Sequence, residues 1–453
     1  MARLQVVQDL RTLLVNADFR KLFTVRLVSQ CGDGLFQIGL ATLFFFNPEN
    51  LATAPQVAGA FAVLLAPFTL VGPFVGPLLD RWRRRQVLLV GNAVRVVLAA
   101  ALAVLMATVG VGPAVYVLAL ITLGVNRFLL AALSAPLPRV VPREQLLMAN
   151  SLAPTLGAVA AVVGAGTGFL VNLLLGAGGV RDGVVLALAG MFFGAASLLA
   201  LRLGIDRLGP ERARAHQREA AGPAVQMRRE VGRTLRAMSD GARYLIARGT
   251  PGVGLAVMGT HRFLYGLNFI ALILISRNLI VDPTDVGAGL ATFGVLGGIS
   301  LAGNGLAILA SPAAHQRVNP AQWVLTCLGV GALSQIVLAT APHPLMIATA
   351  ALLMGFSVQG AKIAVDTIVH RDTHDTVRGR AFAFYDVFYN AAFVGAAALA
   401  ALVLPDTGYS RIVFLVLAVV FVVLALAYRR APLEPVTVDL PDADDDGAPA
   451  RED

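Results

Sequence analysis

The sequence contains little charge for its length. Only 14% of its 453 residues are Asp, Glu, Lys or Arg, whereas a soluble domain carries roughly 25%. Hydrophobic residues account for 57% of the chain, and its mean hydropathy is +0.74. A surface with so few charged groups would not stay dissolved in water, which excludes an ordinary soluble protein. The composition therefore predicts a protein embedded in lipid.

Cysteine is also scarce, and the residue patterns of enzyme sites are missing. Cys31 and Cys327 both fall in apolar segments, where small core residues are expected rather than metal ligands or a disulfide pair. The chain has no metal-ligand spacing, no nucleophile beside a general base and no phosphate-binding loop. We therefore expect neither enzymatic activity nor a cofactor. The net charge of +9 comes from arginines between apolar stretches, so no nucleic acid partner is expected.

Apolar stretches of about 20 residues, long enough to span a bilayer as helices, recur between short polar segments. The predicted fold class is an all-α membrane protein with about 12 transmembrane helices in two six-helix bundles. The first stretch is too long for a signal-peptide core and is expected to stay attached. The predicted spans are Phe19–Phe46, Pro55–Leu79, Val87–Val109, Ala114–Leu133, Leu147–Leu175, Val184–Leu203, Val253–Leu279, Val286–Ala310, Gln322–Ala341, Leu345–Ile368, Ala381–Leu404 and Ile412–Tyr428.

The arginines indicate the orientation of these spans. One set of loops holds most of them, whereas the opposite set holds only Arg181, Arg277 and Arg411. Because loops rich in Lys and Arg stay inside the cell, both termini and the central loop are predicted to be cytoplasmic. Termini on the same side of the membrane require an even number of spans, which agrees with the twelve predicted. We expect a multi-pass protein of the inner (plasma) membrane.

A long basic stretch divides the spans six and six. Its second half places Val231, Leu235, Met238, Ala242 and Leu245 at steps of four and three, which predicts an amphipathic helix lying on an anionic membrane surface. A docking site for a partner is the alternative. The predicted domains are an N-terminal cytoplasmic segment (1–18), an N-terminal six-helix bundle (19–204), the basic linker (205–250), a C-terminal six-helix bundle (251–430) and an acidic, disordered tail (431–453).

The loop after the second span carries the sharpest motif, Gly-Pro-Leu-Leu-Asp-Arg-Trp-Arg-Arg-Arg over residues 76–85. It resembles the signature loop of the major facilitator superfamily, although Arg83 stands where glycine is usual. In that family the loop holds the two halves together on the cytoplasmic side and separates when the protein opens inward. The alternative is an ordinary loop that follows the positive-inside rule. The resemblance assigns to this cytoplasmic gate Gly76, Asp80, Arg81, Arg84 and Arg85.

The equivalent loop of the second half, from Gly303 to Arg317, is a degenerate copy without an acidic residue. A different cluster, Arg378-Gly379-Arg380, lies before the eleventh span and resembles the Arg-Gly-Arg loop of the same superfamily. It is the predicted partner of the first loop. The gate residues assigned to the second half are Asp366, Arg378, Gly379 and Arg380.

The fifth span contains the run Gly164-Ala-Gly-Thr-Gly168. It resembles the glycine motif of antiporters in the superfamily, with Ala165 in place of proline and Phe169 in place of the last glycine. Glycines at this spacing also provide a smooth face for close helix packing. Both interpretations stay open.

Charged residues inside the bilayer are expensive and mark functional sites. Asp33 lies near the middle of the first span, seven residues after Arg26 on the same helical face. We predict that Asp33 carries a proton and that Arg26, Arg95 and Arg127 tune it, with Arg95 and Arg127 as its partners. A purely structural ion pair is the alternative.

Other polar and aromatic residues in the spans are candidates for a substrate pocket. Lys362 and Asp366 are four apart on one helical face, and His261 lies early in the seventh span. For the histidine a structural role is the alternative, and for Lys362 and Asp366 the favoured alternative is a part in the scaffold of the gate. The residues predicted to line the pocket are Phe36, His261, Tyr265, Phe269, Lys362, Tyr385 and Tyr389.

Short motifs along the chain resemble the branch of the superfamily that contains the enterobactin exporter and drug-efflux proteins. They are Phe19-Arg20…Leu22-Phe23 in the first span, the run from Pro138 to Ser151, and Arg378-Gly-Arg-Ala-Phe. The resemblance implies proton-coupled export of hydrophobic compounds, drugs or siderophores. We expect a small-molecule transporter that works by alternating access, as a monomer in contact with membrane lipids. The alternatives are uptake, lipid movement between leaflets, and a scaffold or sensor that transports nothing.

Overall fold

In a computed structural model, the described residues are 11–45, 53–61, 79, 82–110, 112–142, 145–175, 179–205, 207–209, 249–373, 375–431 and a few isolated positions between 232 and 243. These residues form helices and short turns, without a strand among them. The helices are α1 (Ala17–Phe45), α2 (Arg84–Thr108), α3 (Pro113–Ser134), α4 (Leu137–Val140), α5 (Leu146–Leu174), α6 (Gly179–Ala200), α7 (Thr250–Asn278), α8 (Val286–His315), α9 (Pro320–Thr340), α10 (Pro344–Asp372), α11 (Asp375–Val403) and α12 (Arg411–Arg430).

The prediction of an all-α, multi-span membrane protein is confirmed. Nine of the described helices are long and apolar enough to cross a membrane. Every predicted span except the second coincides with a long helix, and residues 54–61 of the second are also helical. The rest of that span, most of the basic linker and the acidic tail lie outside the described residues. The domain boundaries stay predictions.

Local sequence explains where the helices begin. Asn319 precedes α9 with an extended backbone, and its side chain accepts a hydrogen bond from the backbone N–H of Gln322 while the Gln322 side chain accepts one from Asn319 N–H. This capping box satisfies two donors that a helix start leaves without partners. Pro320 occupies the first helical position, where the missing N–H costs nothing. Pro113 and Pro344 likewise begin α3 and α10.

The contacts divide the described residues into two compact units. Unit 1 comprises those within 1–234, 263–298 and 390–413. In it α1 packs against α5 and α6, and α2 packs against α6 and α3. An apolar core at one end of these helices includes Phe19, Phe23, Leu88, Leu133 and Leu137, all buried.

Unit 2 comprises the described residues within 235–262, 299–389 and 414–453. Here α9 packs along α10, and α8 approaches α10 closely at two glycines. A Cβ atom on Gly303 would collide with the backbone of Leu352, and one on Gly355 would collide with the backbone of Ser300. Small residues therefore set the distance between these two helices.

The glycines of the fifth span make an equally close crossing between α5 and α1. A Cβ atom on Gly164 would collide with the carbonyl of Cys31, and one on Gly34 of α1 would collide with the carbonyl of Ala161. Gly166 is different, since a Cβ there would meet nothing within 4 Å. The predicted packing face therefore exists, and Gly164 belongs to it whereas Gly166 does not.

This difference predicts opposite effects for the same substitution two residues apart. Gly164→Ala should destabilise the protein by about 1–3 kcal/mol, because the added methyl group forces α1 and α5 apart. Gly166→Ala should be neutral or slightly stabilising, since alanine favours a helix over glycine by about 1 kcal/mol. Thermal unfolding of the two purified variants in detergent measures the effect. Equal unfolding temperatures for both variants would contradict the close crossing.

Candidate functional site

An ion pair lies in the interior of unit 1. Arg95 of α2 donates a hydrogen bond from Nη2 to Oδ1 of Asp33 on α1. The two side chains are 1% and 6% exposed. A charge buried this deeply is stable only when a partner and hydrogen bonds compensate for its lost hydration. Arg95 is one of the two partners predicted for Asp33.

Two uncharged side chains complete a polar network around this pair. Ser29 donates a hydrogen bond to Oδ1 of Asn92 at 3.1 Å, and Nη1 of Arg95 donates to the Ser29 hydroxyl at 3.4 Å. Asn92 also donates to the carbonyl of Leu88 at 2.8 Å. Ser29 lies one turn before Asp33, and Asn92 lies one turn before Arg95. Neither residue was predicted from the sequence, where the signal is an asparagine three residues before an arginine in an apolar helix.

An aromatic ring from α6 covers the arginine of this network. The Cζ atom of Arg95 lies 3.5 Å from the centroid of the Phe193 ring. A cation over an aromatic face is attracted by the ring's quadrupole, and the ring excludes water. Phe36 packs against the same ring, with centroids 6.2 Å apart. Phe36 is 1% exposed, so in this conformation it is a core side chain, and contact with substrate stays a prediction.

The other two arginines predicted to tune Asp33 lie elsewhere in unit 1. Arg26 is 3% exposed, and its Nη2 donates to the hydroxyl of Ser134 at 2.7 Å. Its seven-residue separation from Asp33 corresponds to about 10 Å along the helix. Arg127 is half-buried on α3. Among the described residues, Arg95 is the cation that pairs with Asp33.

The described residues of the first predicted gate bind helix ends. Nη1 of Arg84 donates to the carbonyls of Ala135 at 3.3 Å and Leu208 at 3.0 Å. Arg85 donates to the carbonyls of Ala200 at 3.4 Å and Leu201 at 3.1 Å. These carbonyls lie where α3 and α6 end or shortly beyond, and a cation there is favourable for the helix dipole. Gly76, Asp80 and Arg81 lie outside the described residues.

The predicted gate residues of the second half lie on α10 and α11. Asp366 accepts a hydrogen bond from Nζ of Lys362, one turn earlier on α10, at 2.6 Å. The backbones of Arg378, Gly379 and Arg380 lie in the first turns of α11, whereas their side chains are not among the parts of the chain that the structure describes. A gating role for either set stays a prediction.

Three helices of unit 2 bring cations and tyrosines together. Nζ of Lys362 lies 5.7 Å from the ring centroid of Tyr385, and that ring is 5.9 Å from the ring of Tyr389. Cζ of Arg262 on α7 lies 4.4 Å from the centroid of Tyr389. The row thus has two neighbouring tyrosines with a cation at each end, a chemistry that suits aromatic or polar organic molecules.

His261 joins four helices in the core of unit 2. Its Nε2 lies 2.8 Å from the Ser357 hydroxyl, which donates its proton to the carbonyl of Cys327 at 2.7 Å. Nε2 must therefore carry the hydrogen, an assignment made from the hydrogen bonds. The ring also meets Phe421 edge-on at 5.2 Å. With no exposed surface, His261 is a packing residue in this conformation, and contact with substrate stays a prediction.

Tyr265 and Phe269 belong to an aromatic cluster in unit 1. Phe61 lies 5.3 Å from Phe269 and 5.0 Å from Phe393, measured between ring centroids. Tyr265 lies 6.3 Å from Phe269 and 5.9 Å from Phe393. Phe61 comes from the first half of the chain and the others from the second, so the cluster joins the two halves of the sequence.

Hydrogen bonds reinforce this junction between the halves. Nη1 of Arg277 donates to the carbonyl of Phe45 at 3.3 Å. The backbone N–H of Ala54 donates to Oδ1 of Asp406 at 2.9 Å. All four residues lie at span ends that the arginine distribution predicts to face away from the cytoplasm. Among the described residues, no cluster of His, Cys, Asp or Glu could hold a metal ion.

Comparison with known proteins identifies the family. A model of the Major Facilitator Superfamily matches residues 252–451. Uncharacterized MFS-type transporters of Mycobacterium tuberculosis and Mycobacterium bovis are each 34% identical over 397 residues, covering 87% of this chain and 87% of the relative.

Solved transporters share the fold. A nucleoside transporter has a TM-score of 0.61 at 14% identity, covering 90% of this chain and 97% of its own. A D-xylose-proton symporter has a TM-score of 0.63 at 13% identity, with 91% and 98% covered. A peptide transporter has a TM-score of 0.66 at 11% identity, with 92% and 99% covered. The chain therefore belongs to the major facilitator superfamily, whose members are multi-pass membrane carriers of small molecules and not enzymes.

Proposed function

We propose that this transporter is a proton-coupled exporter of hydrophobic small molecules that works by alternating access. The single observation that carries the proposal is the buried Asp33–Arg95 pair with its polar network. A carboxylate can exchange a proton, and this one lies on the helix that packs against both α5 and α6. A change in its charge therefore acts on a helix with many packing partners.

The ion pair offers a simple coupling step. When Asp33 is ionised, it holds Nη2 of Arg95 and ties α1 to α2. When a proton binds, the carboxyl group becomes neutral and its attraction for the guanidinium falls. Arg95 keeps its contacts with Ser29 and the Phe193 ring, so it is not left without favourable interactions. The hold between α1 and α2 would then weaken, which permits the two helices to shift.

The aromatic cluster and its hydrogen bonds support a conformation closed on the non-cytoplasmic side. Phe61, Phe269 and Phe393 join the halves of the chain there, together with the bond from Arg277 to Phe45. Alternating access requires such contacts to form on one side while the other is open. We infer that these contacts separate when substrate leaves the cell.

Export and a hydrophobic substrate are supported by the motifs that resemble the siderophore and drug exporters. The row of Arg262, Tyr389, Tyr385 and Lys362 in unit 2 supplies aromatic faces and cations for such a molecule. The arginine distribution supports a place in the plasma membrane with both termini in the cytoplasm. Proton-driven uptake is the second candidate, because a D-xylose-proton symporter shares the fold.

Asp33→Asn should abolish the proton dependence of transport in a protein that still folds, although it lowers the free energy of unfolding because Arg95 loses its counter-ion. Asparagine has nearly the same shape and can still accept a hydrogen bond from Arg95, but it cannot be protonated at physiological pH. Transport of a panel of lipophilic fluorescent compounds by purified protein in liposomes, with and without an imposed pH gradient, tests this.

The matched control is Asp285→Asn, in the turn before α8. Its side chain caps the helix by accepting from Ala288 N–H at 2.9 Å, and asparagine caps equally well. This variant should keep full proton dependence. If Asp33→Asn also keeps it, Asp33 is not the proton carrier.

A double-mutant cycle tests the coupling of the pair. Arg95→Gln should lower the free energy of unfolding by about 3–5 kcal/mol, because it leaves a buried carboxylate without its partner. The double variant Arg95→Gln, Asp33→Asn should lose much less, since no buried charge remains. Unfolding by SDS in mixed micelles measures all four proteins. A double variant that loses the sum of the two single effects would show that the residues act independently.

Removal of the chain from about Leu433 onwards separates transport, which should survive it, from docking of a partner to the acidic tail, which should not. The acidic tail follows α12, and the described helices include no part of it. Transport in liposomes should therefore survive the truncation at the full rate. A truncated protein that loses transport while remaining folded would instead give the tail a role in the carrier itself.

A further inference from the structure

A cavity of about 130 Å³ lies in unit 2, where four helix ends meet. It is distinct from the ion pair and from the row of tyrosines. Thr250 begins α7 and Tyr428 lies near the end of α12, while α9 begins and α10 ends beside them. These ends belong to the side on which the arginines cluster. The lining residues are Thr250, Asn319, Pro320, Ala321, Ile368, Arg371 and Tyr428.

The start of α9 contributes one backbone donor to this cavity. Pro320 has no N–H, the N–H of Gln322 is bound by the Asn319 side chain at 2.8 Å, and the N–H of Trp323 donates to the Asn319 carbonyl at 3.0 Å. The N–H of Ala321 is the remaining donor of this first turn, and it makes no hydrogen bond to the described residues. A helix start also carries a partial positive charge.

Tyr428 contributes a second donor from the end of α12. The residue is 2% exposed and its side chain lines the cavity. Its hydroxyl makes no hydrogen bond to any residue that the structure describes. The hydroxyl oxygen is not among the fully buried polar atoms that lack a partner, so it opens onto the cavity and has room there for a hydrogen-bond partner. The cavity is where that partner would bind.

Arg371 contributes a third donor, and the Asp372 carboxylate balances its positive charge. Its Nε and Nη2 bind the Asp372 carboxylate at 2.6 and 3.0 Å, which leaves Nη1 for a ligand. Asp372 is itself occupied, since its Oδ2 also accepts a hydrogen bond from the Thr250 hydroxyl at 2.7 Å. The carboxylate thus fixes the guanidinium in place, and the cavity presents donors to whatever enters it.

We propose that this cavity binds a phosphate group, supplied by the headgroup of an anionic phospholipid or by free phosphate. A helix N-terminus, a guanidinium and a hydroxyl are the donors that phosphate oxygens prefer. The helix that carries Tyr428 borders lipid, since Val416, Val419 and Val423 of α12 are 54%, 61% and 57% exposed. In a membrane these side chains face acyl chains, whereas Tyr428, five residues after the last of them, lies on the buried face of the same helix.

The test measures binding to the full-length protein in detergent. The probes are inorganic phosphate alone, a short-chain phosphatidylglycerol, and a fatty acid of equal chain length as an anion without phosphate. A ligand that binds the folded protein raises its unfolding temperature in a saturable way. We expect this for at least one phosphate probe and not for the fatty acid. A response to phosphatidylglycerol alone assigns the site to lipid, whereas a response to phosphate alone assigns it to a soluble ligand.

Two matched variants locate the binding. Asn319→Asp keeps the helix cap, since both residues cap equally well, but adds a negative charge at the cavity and should weaken binding about tenfold. Gln316→Asp adds the same charge to an exposed position three residues earlier and should change binding little.

Tyr428→Phe removes only the hydroxyl and should weaken binding several-fold, because one charge-assisted hydrogen bond is lost. The proposal is overturned if neither phosphate probe binds, if the fatty acid binds as well as they do, or if Asn319→Asp and Gln316→Asp weaken binding equally.

Discussion

The ion pair between Asp33 and Arg95 is the constraint on which the rest of unit 1 depends. Two charges in a membrane-spanning segment are stable only together, so α1 and α2 must keep a register in which they meet. Ser29 and Asn92 lie one turn before each partner; Ser29 accepts a hydrogen bond from Arg95 and donates one to Asn92. Phe193 then fixes α6 against the guanidinium. One electrostatic requirement thereby determines how three helices are arranged.

Close packing gives this arrangement its rigidity. Helices in lipid gain little from burying apolar surface, so van der Waals contact between small residues has to hold them together. Gly34 and Gly164 let the backbones of α1 and α5 touch, and Gly303 and Gly355 do the same for α8 and α10. A helix packed this closely has few positions into which it can shift independently of its neighbours. Loss of charge at Asp33 would therefore move α1 as a whole, which is the kind of response that a transporter needs.

Much of the fold followed from the sequence, because hydropathy and helix length are local properties. The seventh span was predicted as Val253–Leu279 and the helix is Thr250–Asn278. The choice of Arg95 over Arg127 as the partner of Asp33 could not be predicted, since it depends on how α1 packs against α2. Ser29 and Asn92 were missed because small polar residues are common in membrane helices without a special role.

The predicted gate shows the same limit. A sequence motif gives residue types, whereas the carbonyls of Ala135 just after α3 and Ala200 at the end of α6, which Arg84 and Arg85 bind, are brought near only by folding.

Infrared difference spectroscopy gives the most direct test of the central claim that Asp33 takes up and releases the proton. A pH change applied to the protein in liposomes should produce a C=O stretching band of a protonated carboxyl group in a dry environment. The band should be present in the unmodified protein and missing from Asp33→Asn. A band that persists unchanged in the variant, or that never appears in the unmodified protein, would contradict a proton-carrying role for Asp33.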